Sequence, residues 1–186
     1  ARKLIEGYCV IDPYNPNAKG FLNQLQATEK NEKRRVELEQ SIQKGGDANS
    51  VLELLSIYGS LNMQGQFAAL VANLLANANI PPQIHMQIAQ VCFSARRPDL
   101  AAEALKRCLE RDPINSRLWI ELALAQLSAN QIGETTASLN KAVEVGGEAA
   151  RAFLRSDNRF GAFRQSPQFR SLMQSPSPFD MKSMPR

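Results

Sequence analysis

Residues Pro82–Gly147 read PQIHMQIAQVCFSARRPDLAAEALKRCLERDPINSRLWIELALAQLSANQIGETTASLNKAVEVGG, and this stretch decides the fold. It is one helical hairpin written twice. His85, Ile88, Ala89, Cys92, Ala101, Leu105, Cys108 and Pro113 form one register. A shift of 34 residues brings Trp119, Leu122, Ala123, Gln126, Thr135, Leu139, Ala142 and Gly147 onto the same marks. The small residues Ala89, Ala101, Ala123 and Ala142 let two helix backbones approach. The larger Ile88, Leu105, Leu122 and Leu139 fill the seam between them.

A 34-residue period carrying W-x2-L-G-x2-Y, then A-x3-F, then P is the written form of the tetratricopeptide repeat. The pair resembles that family through Trp119-x2-Leu122-Ala123 and Ala101-x3-Leu105-x2-Cys108-x4-Pro113. The resemblance covers residues 50–147, and more loosely 1–17 and 148–170. It implies an all-α protein, a right-handed α-solenoid of helical hairpins, and a non-catalytic role in protein binding.

Composition agrees with helices. The apolar residues are largely Ala and Leu, and only 6% of the chain is aromatic, which suits helix–helix packing. At 186 residues the chain can bury a core. No run reaches the roughly 18 apolar residues of a membrane span. The N-terminus lacks a charged–apolar–small-residue leader, so a secretory signal is expected to be absent or already removed. Cys9, Cys92 and Cys108 are an odd number at unrelated spacings, neither a disulfide framework nor a zinc pair. Cys92 and Cys108 fall on seam faces of one hairpin and read as thiols packing like small apolar groups.

Residues 1–11, followed by Asp12-Pro13, look like the return helix of a hairpin whose first half is missing. More helical repeats, or another domain, are expected upstream. From about Asn17 to Lys44 there is no proline, and the stretch reads as one helix about 40 Å long. Asn15 or Asn17 caps it and Gly45-Gly46 ends it. Its middle, Glu29–Arg35, has no apolar residue and reads as a solvated helix joining two packed ends. Glu29–Lys33 and Arg35–Glu39 are expected ion pairs there. The nearby glutamates argue against Lys30, Lys33 and Arg34 acting as a basic patch.

Asp47 or Asn49 caps a further helix, Ser50–Asn62, whose partner is Phe67–Ala78. Two registers compete for this hairpin. Strict 34-residue spacing puts Val51, Leu54, Leu55 and Tyr58 on the marks. Aligning Gly65-Gln66-Phe67 with a G-x-Y turn puts Leu54, Ile57, Tyr58 and Leu61 there instead, about three residues short of the period. The second is preferred, because turn chemistry is local.

The C-terminal segment differs in kind. Residues 148–186 hold seven Lys and Arg against three Asp and Glu, so the chain's net charge of +4 sits in its last fifth. Arg151, Arg155, Arg159, Arg164 and Arg170 interleave with Phe153, Phe160, Phe163 and Phe169. Such mixing can bind single-stranded nucleic acid by phosphate attraction and base stacking. The favoured reading has the phenylalanines plugging the end of the array while the arginines stay wet. Leu154-Arg155-Ser156-Asp157-Asn158-Arg159-Phe160 resembles tails that close many bacterial tetratricopeptide arrays. The tail 175–186 is expected to be flexible.

No catalytic, metal or cofactor constellation emerges, and none is expected. The chain has no phosphate-cradling glycine loop. The single histidine, His85, occupies the slot of Trp119 and reads as a packing residue. Glu53, Glu103, Glu110, Glu121, Glu134 and Glu144 read as solvated faces. In tetratricopeptide arrays the first helix of each hairpin lines a concave groove for extended peptides. That face here holds Gln83, Met86, Gln90 and Phe93, then Arg117, Ile120, Leu124 and Leu127. One subclass clamps the carboxylate tail of heat-shock chaperones with Lys and Asn. The equivalent places hold Met86, Gln90 and Glu121, with Arg117 alone matching in charge, so that clamp is not carried over. The Ile120-Leu124-Leu127 stripe is either a docking surface or a packing face, formed by helix–helix contact or by a seat for the chain's own C-terminal segment.

The expected organisation is a partial repeat end and long helix over 1–46, hairpins over 47–155, a capping segment over 156–174 and a tail over 175–186. The expected function is a protein–protein interaction or assembly scaffold, with a peptide, a helix or a second copy of the chain as partner. The runner-up is the soluble C-terminal tail of a larger protein, such as a membrane glycosyltransferase. Nucleic-acid binding through the Arg/Phe segment ranks third.

Overall fold

The computed structural model describes residues 2–12, 14–77 and 80–174, so the expectation for the tail 175–186 lies outside the described residues. Nine α-helices, and no strand, are present among the described residues. In order they are α1 (Arg2–Ile11), α2 (Pro16–Gln43), α3 (Ala48–Ser60), α4 (Gln64–Ala76), α5 (Pro82–Ser94), α6 (Pro98–Arg111), α7 (Ser116–Ser128), α8 (Ile132–Ser156) and α9 (Pro167–Gln174). Short 3-10 turns at Asn158–Phe160 and Phe163–Gln165 connect the last two. The chain divides into two compact units, 1–67 and 68–186.

In the first unit α1 packs on α2 and α2 on α3. Asn15 starts α2: its side-chain oxygen accepts from the backbone N–H groups of Asn17 and Ala18 at 3.0 and 3.1 Å, and Pro16 fits the first turn. Gly45, at φ +100°, ends it. Asp47 caps α3 by accepting from Ser50 N–H at 2.8 Å. The charged middle of α2 is not simply solvated. Arg34 donates both ends of its fork to Glu53 on α3 at 2.8 Å, and Asn31 donates to Ser60 at 3.0 Å. Arg35 pairs with Glu39 as expected, and Glu39 in turn accepts from the Tyr58 hydroxyl at 2.8 Å. A polar seam therefore holds α2 to α3 where no apolar residue was available.

The backbone repeats the 34-residue period more strictly than the side chains do. Helix starts at Ala48, Pro82 and Ser116 are 34 apart, as are helix ends at Ser60, Ser94 and Ser128. Asn62, Arg96 and Asn130 take left-handed backbone angles (φ 55°, 57° and 60°) at one place in each turn. The following N–H groups of Met63, Arg97 and Gln131 close back on the carbonyls of Tyr58, Cys92 and Gln126 at 2.8–2.9 Å. This is one helix-terminating motif used three times. It corrects the preferred register of the first hairpin. Strict spacing holds, with Leu54, Leu55 and Tyr58 buried on the marks, and Gly65-Gln66-Phe67 is not a G-x-Y turn but the start of α4.

In the second unit α5 packs on α6, α6 on α7 and α7 on α8, a sequential stack. Ala101, Ala102 and Ala104 of α6 are buried and set the close approach. Asn115 caps α7, accepting from Leu118 N–H at 3.2 Å, and the Trp119 indole donates to the Pro113 carbonyl at 2.9 Å. One polar chain pins α7 to α8, running from a buried bond out to an exposed carboxylate: Ser138 donates to Gln126 at 2.7 Å, and Gln126 donates to Glu134 at 3.2 Å. Gly147, at φ 56° and ψ −139°, breaks α8. Gly146 is needed for contact, since a Cβ there would lie 2.6 Å from the Ser116 Cβ.

The C-terminal segment closes the stack. Leu154 and Phe160 are fully buried, and Phe163, Phe169 and Leu172 join them in one cluster with Ile120, Leu124, Leu139 and Val143. Phe163 and Phe169 meet edge to face at 6.2 Å. The phenylalanines thus plug the end as expected. The arginines do not all stay wet: Arg151 is buried, 3.6 Å from Glu148. Arg164 donates to the Asp157 carbonyl.

Candidate functional site

Two depressions lie along α5 and α7 in the second unit. On α5, His85, Ile88, Ala89 and Cys92 are buried. The opposite face projects Met86, Gln90 and Phe93, three and four residues apart, as helical spacing requires. On α7, Arg117, Glu121, Leu124 and then Leu127 repeat that spacing. A depression of about 490 Å³ brings together Met86, Gln90, Phe93, Asn115, Arg117, Glu121 and Arg159. A second, of about 480 Å³, is lined by Phe93, Leu124, Leu127 and Ser128, again with Glu121 and Arg159.

Six of the eight groove residues expected from sequence line these depressions. Gln83 is exposed and lines neither. Ile120 is corrected outright: it is 3% exposed and belongs to the capping cluster. Leu124 serves both, lining the second depression while joining that cluster. Of the two readings of the stripe, a seat for the chain's own C-terminal segment is what Ile120 provides.

Sequence reasoning missed the pair between the depressions. Arg159 donates to both carboxylate oxygens of Glu121, at 2.9 and 3.0 Å. Glu121 was read as a solvated face and Arg159 as a wet arginine. They are 38 residues apart, and no local pattern joins them. The Asp157-x-Arg159 spacing did carry a signal, since Arg159 also pairs with Asp157 at 2.7 Å. Hydrogen bonds to Asp157, then to Glu121, raise the Arg159 pKa and hold it firmly cationic. Arg159 in turn holds the Asp157 carboxyl below the usual carboxylate range, against partial burial. Arg117 is different: its guanidinium lies 5.1 Å above the Phe153 ring and has no carboxylate partner among the described residues.

The remaining candidates have packing roles. His85 is buried, and neither ring nitrogen has a hydrogen-bond partner among the described residues. Burial first, then the nearby Arg107 and Arg111, lowers its pKa. Cys92 and Cys108 are buried free thiols, and burial pushes Cys92 up to about 12. No group of three His, Cys, Asp or Glu is placed to hold a metal among the described residues. No helix among them is long and apolar enough to cross a membrane. Phe160, Phe163 and Phe169 are inside the fold, so their rings are not offered to nucleic-acid bases. In the first unit a depression of about 510 Å³ contains Lys30, Lys33 and Arg34, but Glu53 and Glu37 neutralise Arg34.

Residues 82–127 match the family model described as tetratricopeptide repeat. No curated protein and no solved structure matches the chain. The matched residues are α5, α6 and most of α7; α5 and α7 start 34 residues apart and line the two depressions. On this match and the recurring turn geometry, the segment 82–127 reads as a tetratricopeptide repeat within an all-helical chain.

Proposed function

We propose that this chain is a non-catalytic interaction module that holds an extended segment of a protein partner in the trough of α5 and α7. One observation carries the reading: side chains from equivalent faces of two successive hairpins line two depressions that share Phe93, Glu121 and Arg159 and mix apolar with polar groups. Met86, Phe93, Leu124 and Leu127 offer apolar contact. Gln90 is exposed, and its amide can pair with a peptide backbone. The family match supports protein partners in general. The test is peptide display selection on the folded chain, followed by calorimetry on wild type, Phe93→Ala and Gln90→Trp. Selected peptides should bind wild type and lose at least about tenfold, roughly 1.4 kcal/mol, on either variant, with the helical melt unchanged. Peptides that bind both variants as tightly as wild type would place the site elsewhere.

A further inference from the structure

The trough has a charge pattern that names its ligand more closely; this inference rests on the groove reading above. Glu121 is satisfied by Arg159, and Arg159 by Glu121 and Asp157 together. Arg117 alone among these charges makes no ion pair among the described residues, since Glu121, one turn away, is turned to Arg159. It stands exposed at the rim of the first depression, its guanidinium supported on Phe153. The second depression offers Phe93, Leu124 and Leu127 instead. Leu124 and Leu127 lie seven and ten residues beyond Arg117 on the same helix. At about 1.5 Å per residue that is roughly 10–15 Å along α7. An extended peptide advances about 3.3 Å per residue, so it covers this distance in about three to five residues.

The geometry points to a partner segment that is extended and internal to its chain, with an Asp or Glu side chain three to five residues from a large apolar side chain. The carboxylate meets Arg117, the apolar side chain enters the Phe93–Leu124–Leu127 depression, and the backbone between them crosses the Glu121–Arg159 pair. A side-chain carboxylate fits because Arg117 sits at an open rim rather than in an enclosed end. Glu121 and Asp157 share Arg159, so the preference for an acidic segment rests on Arg117.

The test is an NMR titration of the full chain with acetylated, amidated Gly/Ser peptides. Each carries one Glu and one Leu-Phe pair at spacings from one to eight. A matched series carries Lys in place of Glu. The Glu series should shift amides of α5 and α7, bind best at spacings of three to five, and bind at least about fivefold tighter than the Lys series. Arg117→Gln should erase the preference, and Arg117→Glu should reverse it. Binding without preference for sign or spacing overturns this inference and leaves the groove reading standing. If no peptide of either series shifts the trough amides, the groove reading fails and takes the inference with it. Preference for a free terminal carboxylate over the internal Glu, checked with non-amidated controls, also overturns it.

Discussion

Arg159, in the turn after α8, reaches back to α7 and grips both oxygens of Glu121 at 2.9 and 3.0 Å. Phe160, the next residue, is fully buried in the plug. One dipeptide thus fastens the cap on two sides, by charge at the trough and by apolar burial within. The Arg159 side chain is 48% exposed and that of Glu121 23%, so water screens the pair in part. A double-mutant cycle with Glu121→Gln and Arg159→Gln in urea should give a coupling of about 0.5–1.5 kcal/mol, shrinking with added salt. Coupling near zero would make the pair incidental to cap docking.

The plug itself should dominate. Phe160→Ala removes a ring with no exposed surface and should destabilise the second unit by about 3–5 kcal/mol. Hydrogen exchange should quicken first in α9 and the end of α8. Ile120→Glu should also unfold this region, because it puts a carboxylate into the same cluster. A folded Ile120→Glu variant with native exchange rates would contradict that burial.

His85 gives the fold a pH dependence. Its pKa is below the ordinary value of about 6.5, chiefly through burial, so the folded state binds its proton less readily than the unfolded chain. Stability from this residue is complete above about pH 6.5 and falls as pH drops through the lowered folded value. Asp157 acts in the same direction lower down, below about pH 3.9, because its folded pKa is depressed too. In denaturant melts between pH 5 and 8, wild type should weaken toward pH 5 and His85→Phe should weaken less. Parallel profiles would remove His85 as the cause.

The period over 82–147 was legible because packing repeats along with sequence: Ile88 and Leu122, Leu105 and Leu139 all reach the core. The first hairpin was misread because Gly65-Gln66-Phe67 imitates a turn, whereas the true marker is the left-handed residue at Asn62. An asparagine's φ is not written in hydrophobic spacing. Ile120 was placed in the groove because α7 has apolar residues all round, with buried side chains from Leu118 to Gln126. Spacing cannot say which apolar face meets α6, which α8 and which the cap. The cap's phenylalanines were legible as a plug, while Arg151 and the Glu121–Arg159 pair depend on contacts made after folding.

Gly146 permits contact between the end of α8's first segment and the start of α7. An added Cβ would sit 2.6 Å from the Ser116 Cβ and 2.9 Å from the Ala150 Cβ, so neighbours must shift. Gly146→Ala should therefore cost about 1–3 kcal/mol although alanine favours helix. Ser116→Gly should recover part of that loss in the double variant, but little on its own. A neutral Gly146→Ala measured by chemical denaturation would mean the two segments part freely.

The three turns supply a stabilising prediction as well. Left-handed backbone angles strain residues with a Cβ, least for asparagine, whose short side chain hydrogen-bonds locally. Asn62 and Asn130 hold this place in two hairpins, while the middle one uses Arg96 at φ 57°. The Arg96 side chain is exposed and projects from the turn. Arg96→Asn should therefore raise stability by a few tenths to about 1 kcal/mol, and Arg96→Gly should do so by a similar amount. Asn130→Val, which forces a branched side chain into the same conformation, should destabilise by about 1–2 kcal/mol. Thermal melts of the three variants against wild type check the order. If Arg96→Asn and Arg96→Gly both lower the midpoint, the turn is not what limits the hairpin, and the arginine's contacts outweigh its backbone strain.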